Sequence, residues 1–321
     1  MQSFIVNENE AGQRLDKLLR KYLSQAGSGF LYKMMRKKNI TLNGKKCDGS
    51  EKLSQGDEIK LFLSDETIEK FSKPADVPQV SKVKLDIIYE DEHILLINKP
   101  AGMLSQKAKE TDESLVEYVI DYLLTSGSIA REQLKTFRPS VCNRLDRNTS
   151  GLVAAGKSLA GLQILSAVFK DRSIHKYYQC VVKGQIKEKQ LVAGFLTKDE
   201  RTNQVTVHNT ERPGSVPIMT EYQPVSFHGG YTLLKVTLIT GRTHQIRAHL
   251  SSIGYPIVGD YKYGNPKDNQ EAREKFGIRS QLLHSYQLVF PELPAPLTYL
   301  SGNTFQAPLP PAFGRICRQW R

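Results

Sequence analysis

Residues 143–151 read NRLDRNTSG, and everything else turns on these nine. One carboxylate, Asp146, stands between Arg144 and Arg147, and a short polar bend ending in Gly151 follows at once. Guanidinium groups beside an aspartate favour its charged form, so the pKa of Asp146 is expected to fall. An acid held in that way suits a nucleophile or an electrostatic stabiliser and does not suit a general acid near neutral pH. The bend puts Asp146 on a loop between strand-like segments, and loops on a rigid scaffold often carry chemistry. From these residues alone, however, a structural Arg-Asp-Arg ion pair beside a turn is the better account.

The rest of the chain narrows the choice. Its 321 residues suit two domains, and an apolar fraction of 39% is enough for a sizeable core. The net charge of +12 and the pI of about 9.4 suit a polyanion, either nucleic acid or an anionic membrane face. Glu8, Glu10 and Asp16 interrupt any secretory pattern at the N-terminus, and no apolar run of the length of a membrane span occurs. Nucleic acid is therefore the expected partner. Cys47, Cys142, Cys180 and Cys317 are scattered, with no C-x-x-C pair and no neighbouring zinc ligands. They read as reduced thiols of a cytoplasmic protein, and Cys142 reads as a small buried group rather than a nucleophile.

Residues 1–63 form the first expected unit. Leu15, Leu18, Leu19, Tyr22 and Leu23 lie on one helical stripe. A second helix is expected from Ser28, as N-cap, to about Lys37, and it exposes Lys33, Arg36, Lys37 and Lys38. ITLNGKK then reads as a strand and an Asn-Gly turn leading into Lys45, and DEIKLFL as another strand. Between residues 30 and 46 there are six basic residues and no acid. A solvated helix face is the usual fate of such a run, but the overall basicity favours a binding surface.

Residues 64–84 lack apolar periodicity and read as a linker. Residues 85–321 carry mostly strand patterns. Two strands meet near residues 90–92, and others are expected at 177–182, 204–207, 217–225, 231–239 and 281–290. Helices are expected at 113–124, 158–169 and 243–252, the last ended by Gly254. The C-terminal FGRICRQWR is basic and amphipathic, fit for a docking helix or a tail. These patterns alone give an α+β fold.

Two resemblances carry the reading further. GQRLDKLL, the basic second helix, KNITLNGKK and KLSQGDEI together resemble the S-four RNA-binding module. This implies an S-four-like RNA-binding domain over residues 1–63, which grips structured RNA through phosphates. NRLDRNTSGLVAAGK resembles the active-site motif of the RluA/RluC/RluD family of pseudouridine synthases. INKPAGM at 97–103, KYYQCVVKG at 176–184 and TGRTHQIRAHLSSIGYPIVGDYKYG at 240–264 match that family in the same order. One position departs from it: Asn143 stands where the family often has His, and Asn cannot titrate.

The second resemblance implies a pseudouridine-synthase fold over residues 85–321, with a mixed, largely antiparallel central sheet. It also implies isomerisation of uridine within RNA, without redox cofactor or metal. Asp146 would be the catalytic carboxylate, Tyr178 would stack on the uracil, and Arg247 would pair with the carboxylate. Arg144, Arg147, Arg242 and His244 would contact RNA, as would Lys33, Arg36, Lys37, Lys38 and Lys45 on the N-terminal unit. Lys99 to Gly102 and Gly259-Asp260 read equally well as plain turns. Relatives with this layout commonly act on large-subunit ribosomal RNA, so that is the expected partner of a chain expected to be monomeric. Transfer RNA is the alternative substrate. A non-catalytic RNA-binding assembly factor is the alternative class. A glycosidase-like hydrolase fits worse, because no second acid accompanies Asp146.

Overall fold

The computed structural model describes residues 1–72 and 77–317, with the side chain of Cys317 excepted. The N-terminal residues build β1 (Gln2–Ile5), α1 (Leu15–Tyr22), α2 (Ser28–Arg36), β2 (Ile40–Leu42), β3 (Lys45–Lys46), β4 (Glu58–Leu61) and α3 (Asp65–Phe71). The strands pair in the order β1-β4-β2-β3. The leucine stripe of α1 closes over this sheet, and Leu15, Leu18, Leu19, Leu31, Met35, Ile40 and Ile59 share one buried cluster. Asn43 and Gly44 both take positive φ, 51° and 73°, as a tight turn between twisted antiparallel strands requires. Helix α2 begins one residue earlier than expected: Gly27 is the N-cap and Ser28 the first helical residue.

The stretch read as a linker starts with structure. Ser64 caps α3 by accepting from the Thr67 amide, Ile68 is buried in the N-terminal core, and Phe71 packs on Phe30. A seven-residue helix that buries one side chain leaves no periodicity to detect. Part of the expected linker thus belongs to the N-terminal unit, while residues 73–76 lie outside the described residues. Hydrogen bonds among the described residues tie this unit to the rest of the chain: Thr136 Oγ1 donates to Glu10 (2.7 Å), and the Leu159 amide donates to Asn9 Oδ1 (3.0 Å).

The remaining elements are β5 (Ile87–Glu90), β6 (Ile94–Lys99), α4 (Leu115–Thr125), β7 (Ser140–Val141), β8 (Ser150–Gly156), α5 (Leu159–Lys170) and β9 (His175–Lys183). After them come β10 (Gln190–Asp199), β11 (Gln204–His208), β12 (Val216–His228), β13 (Tyr231–Leu238), α6 (Gln245–Ser252), α7 (Pro266–Phe276), β14 (Leu283–Val289), β15 (Thr304–Gln306) and α8 (Pro311–Cys317). The strands form one sheet in the order β11-β10-β12-β13-β9-β14-β8-β6-β5, with β7 against β8 and β15 against β14. Every pairing is antiparallel except β8 with β14, where Ser150 faces His284 and Gly151 faces Ser285. This is the mixed, largely antiparallel sheet of the α+β expectation.

All seven residues of β8 are buried. Small side chains let it sit that deep. Gly151 has φ +111°, and a Cβ there would lie 2.2 Å from the Ser285 carbonyl oxygen. At Gly156 a Cβ would lie 2.4 Å from the Leu162 backbone, so this glycine sets the distance at which α5 covers the strand. Among the described residues, no helix is long and apolar enough to cross a membrane. The C-terminal segment is helical over Pro311–Cys317, and its continuation to residue 321 lies outside the described residues.

Candidate active site

The bend after β7 is fixed from both sides of Asp146. The Ser105 hydroxyl donates to the Leu145 carbonyl and accepts from its amide, both at 3.0 Å. The Lys99 ammonium, fully buried at the end of β6, donates to the carbonyls of Pro100 (3.1 Å), Met103 (2.8 Å) and Arg147 (3.2 Å). Burial pushes this lysine down to about 7, while the charge on Asp146 pulls it back up. The Gly102 amide also donates to the Arg147 carbonyl (2.8 Å), and the Arg147 Nε donates back to the Gly102 carbonyl (3.1 Å). Asn143 spends its amide on the β8 backbone: it donates to the Leu152 carbonyl and accepts from the Ala154 amide. The position that departs from the family is therefore a structural clasp.

The arginine that reaches Asp146 is not one of its sequence neighbours. Arg147 turns to Gly102, and Arg144 is exposed. Arg247 on α6, 101 residues away, donates from Nη1 to Asp146 Oδ2 at 2.8 Å. Its other edge is held by Asp260, Nε to Oδ2 at 2.7 Å and Nη2 to Oδ1 at 2.9 Å. Asp260 is 1% exposed. Its Oδ1 also accepts from the amides of Lys262 (2.9 Å) and Tyr263 (3.1 Å). Burial opposes a charge there, but the Arg247 guanidinium and these amides outweigh it and hold the carboxyl below its usual range. The guanidinium also lies over the Tyr263 ring, 5.1 Å from its centroid. Arg247 is thereby locked in the one orientation that leaves Nη1 for Asp146.

His244 approaches the same carboxylate. It precedes α6 in a left-handed conformation, φ 54°, so the helix begins at Gln245 rather than at residue 243. Its Nε2 lies 3.9 Å from Asp146 Oδ2, and its Nδ1 lies 2.8 Å from the Tyr263 hydroxyl. That hydroxyl also accepts from the Val205 amide at 3.0 Å. Burial lowers the His244 pKa, with Arg247 and Lys262 adding to this, and Asp146 and Asp260 opposing it.

Tyr178 points inward from β9 and is 6% exposed. Burial pushes its phenol up to about 12; the charge on Asp146 adds to this, and the Ser285 hydroxyl works against it. It stays a phenol across the neutral range. Tyr177 takes the other face, under the Lys235 ammonium. Burial pushes the Cys142 thiol up to about 12, so it is no nucleophile.

Asp146 and its direct partners Arg247 and His244 line one cleft of about 860 Å³. It brings together Asp146, Tyr178, Arg247, His244, Arg144, Arg147 and Arg242. Lys33, Arg36, Lys37, Lys38 and Lys45 are exposed on the N-terminal unit, outside this lining. Sequence reasoning read Lys99 and Asp260 equally well as parts of plain turns and left out Tyr263. Asp260 and Tyr263 stood in the quoted GDYKYG, where a buried acid two residues before a lysine reads as an ordinary turn.

Comparison with known proteins gives a consistent picture. Residues 93–252 match the family model described as RNA pseudouridylate synthase. A Vibrio cholerae protein named ribosomal large subunit pseudouridine synthase C is 30% identical over 296 residues, covering 89% of this chain and 87% of the relative. A Borreliella burgdorferi protein named ribosomal large subunit pseudouridine synthase D is 31% identical over 89% of this chain and 83% of its own length. Among solved structures, Human RNA Pseudouridylate Synthase Domain Containing 4 shares the fold, with a TM-score of 0.57 and 20% identity over 73% of this chain and 92% of that one.

Proposed function

Because this chain belongs to the RNA pseudouridylate synthase family and is an RNA pseudouridine synthase, we propose that Asp146 is the carboxylate that acts on the target nucleotide and that the target lies in large-subunit ribosomal RNA. In the reaction the bond from ribose C1′ to uracil N1 breaks and a bond from C1′ to C5 forms. C5 loses a proton and N1 gains one, so no atom is added or lost. Asp146 acts on the ribose, by adding to C1′ or by taking the 2′ proton. Either route needs an ionised acid held rigidly against the sugar. The observation that carries the reading is the 2.8 Å contact from Arg247, itself clamped by Asp260, at the one carboxylate beside Tyr178 in the cleft.

The remaining assignments follow from the surroundings. Tyr178, a phenol at neutral pH, stacks on the uracil and can offer it a hydrogen bond. Arg144, Arg147, Arg242 and His244 contact the RNA at the cleft. The target base must leave its stack, at a cost of about a few kcal/mol, and phosphate contacts offset this. The names of the relatives support ribosomal RNA as the substrate. A map of pseudouridine in ribosomal and transfer RNA, from cells with and without the gene, tests it. Uridines that are unmodified only in the deletion strain and lie in large-subunit RNA are the expected result. Their appearance in transfer RNA alone would overturn the ribosomal assignment.

The N-terminal unit supplies orientation through its exposed lysines and Arg36, in the manner of an S-four-like module. Replacing Lys33, Arg36, Lys37 and Lys38 together with Gln is expected to weaken RNA binding. It should also flatten the plot of log K against log salt, by roughly 0.7–0.9 for each phosphate no longer neutralised. Turnover at saturating RNA should stay within about twofold. An unchanged salt slope would remove this surface from the binding site.

A further inference from the structure

Three lysines of the catalytic sheet and its connections are nearly buried, and two of them are fully engaged. Lys99 donates to three carbonyls, and Lys157 bonds Glu90 at 2.6 Å and the Asp91 carbonyl at 2.6 Å. Lys176 is the exception. It is 8% exposed, and its ammonium donates to the Ile174 carbonyl at 3.3 Å. No carboxylate among the described residues lies within ion-pair distance of it. Asp171, the nearest acid along the chain, turns its Oδ1 to the Ser173 amide (2.9 Å). Asp171 acts on Lys176 only from beyond ion-pair distance, and a buried cation with no direct ion-pair partner is costly and calls for one.

That partner would come from the cleft. Lys176 lines it, together with Arg172, Lys170 and Phe169. Arg172 holds a left-handed backbone, φ 67°, which a side chain other than glycine rarely adopts. The turn thus places a second cation beside the first; burial and Arg172 lower the Lys176 pKa, and the charge on Asp171 opposes them. Lys176 and Tyr178 point to the same face of β9, two residues apart, which sets their Cα atoms roughly 7 Å from each other. This is on the scale of a base and its neighbouring phosphate.

We propose that Lys176 and Arg172 form a phosphate pocket that takes the phosphodiester flanking the uridine held at Tyr178. The proposal rests on the functional reading above. Unlike Arg144, Arg147 and Arg242, whose charges face solvent, Lys176 is shielded from salt and fixed on a strand. It would set which nucleotide enters the cleft, where the exposed arginines set only how tightly RNA is held.

The test uses a synthetic stem-loop carrying the uridine found in the pseudouridine map, with one neutral methylphosphonate linkage placed 5′ or 3′ of that uridine. The unaltered enzyme is expected to lose about tenfold in affinity at one of the two linkages. Lys176→Met should lose a similar factor on the all-phosphate RNA and nothing more when that linkage is neutral. Arg172→Gln, at an exposed position that does not put folding at risk, should show the same pattern more weakly. Equal losses at that linkage in the unaltered enzyme and in both variants would overturn the pocket. So would a Lys176→Met enzyme that binds all-phosphate RNA as tightly as the unaltered one. Failure of the unaltered enzyme to convert the all-phosphate RNA would instead overturn the functional reading, and the pocket with it.

Discussion

Asp146→Asn is expected to abolish conversion of uridine while RNA binding changes by no more than a few-fold. The substitution removes a charge and keeps the shape. Arg247 can still donate to the Asn oxygen, and the bidentate grip of Asp260 holds the guanidinium in place. The loop keeps its clamps to Lys99 and Ser105, neither of which involves the carboxylate. The variant lacks the ionised oxygen that acts on the ribose, and removal of a group of that kind lowers turnover by a factor on the order of 10⁴ or more. Release of tritium from C5 of labelled uridine reads the reaction, and gel retardation reads binding. Tritium release at more than a small fraction of the normal rate would remove Asp146 from the mechanism.

Arg247→Met is expected to cost both stability and activity, for separable reasons. The variant leaves Asp260, 1% exposed, with a charge and no counter-charge. Breaking a buried pair in this way costs about 3–5 kcal/mol. The pH dependence has a definite sign. In the unaltered protein the Asp260 carboxyl is held below its usual range, so its contribution is present above the unfolded pKa and is lost as pH falls through the folded one. In the variant, burial is opposed only by the Lys262 and Tyr263 amides, so the folded pKa rises. The penalty is then full at neutral pH and shrinks on acidification. Urea denaturation at pH 7 and pH 5 should show the gap between the two proteins narrowing at the lower value. A second change, Asp260→Asn, should recover part of the stability, since an Asn oxygen can still accept from the Lys262 and Tyr263 amides. It should recover no activity, because Asp146 still lacks its guanidinium. A single variant as stable as the unaltered protein at pH 7 would show that Asp260 does not need Arg247.

The contrast between Arg247 and Asp260 shows what the sequence could and could not reveal. Asp146, Tyr178 and Arg247 stood in recognisable motifs, and the structure places all three in one cleft. Helix α2, the Asn43-Gly44 turn and most strands follow from local rules, because periodicity and turn chemistry act over a few residues. Asp260 and Tyr263 were hidden because their meaning lies across space. An acid before a Tyr-Lys-Tyr run reads as a turn until Arg247 is seen against it. Strand β8 is absent from the expected strands because close packing against α5 and Ser285 demands Gly and Ala, residues of low strand preference. The expected Arg-Asp-Arg arrangement failed for the complementary reason. Neighbours in sequence on a tight loop point apart, and the true partner comes from α6.

The single parallel pairing in the sheet has a consequence for how the protein is made. Strand β14 lies between β8 and β9, so it joins the half of the sheet that presents Asp146 to the half that presents Tyr178. Ser150 and His284, which meet in that seam, are 134 positions apart. Contacts so distant in sequence form late, after the loop between them has closed. A chain still emerging from the ribosome has all of Asp146, Tyr178 and Arg247 before it has β14. The seam that joins Asp146 to Tyr178 is therefore complete only in a chain that already includes β14.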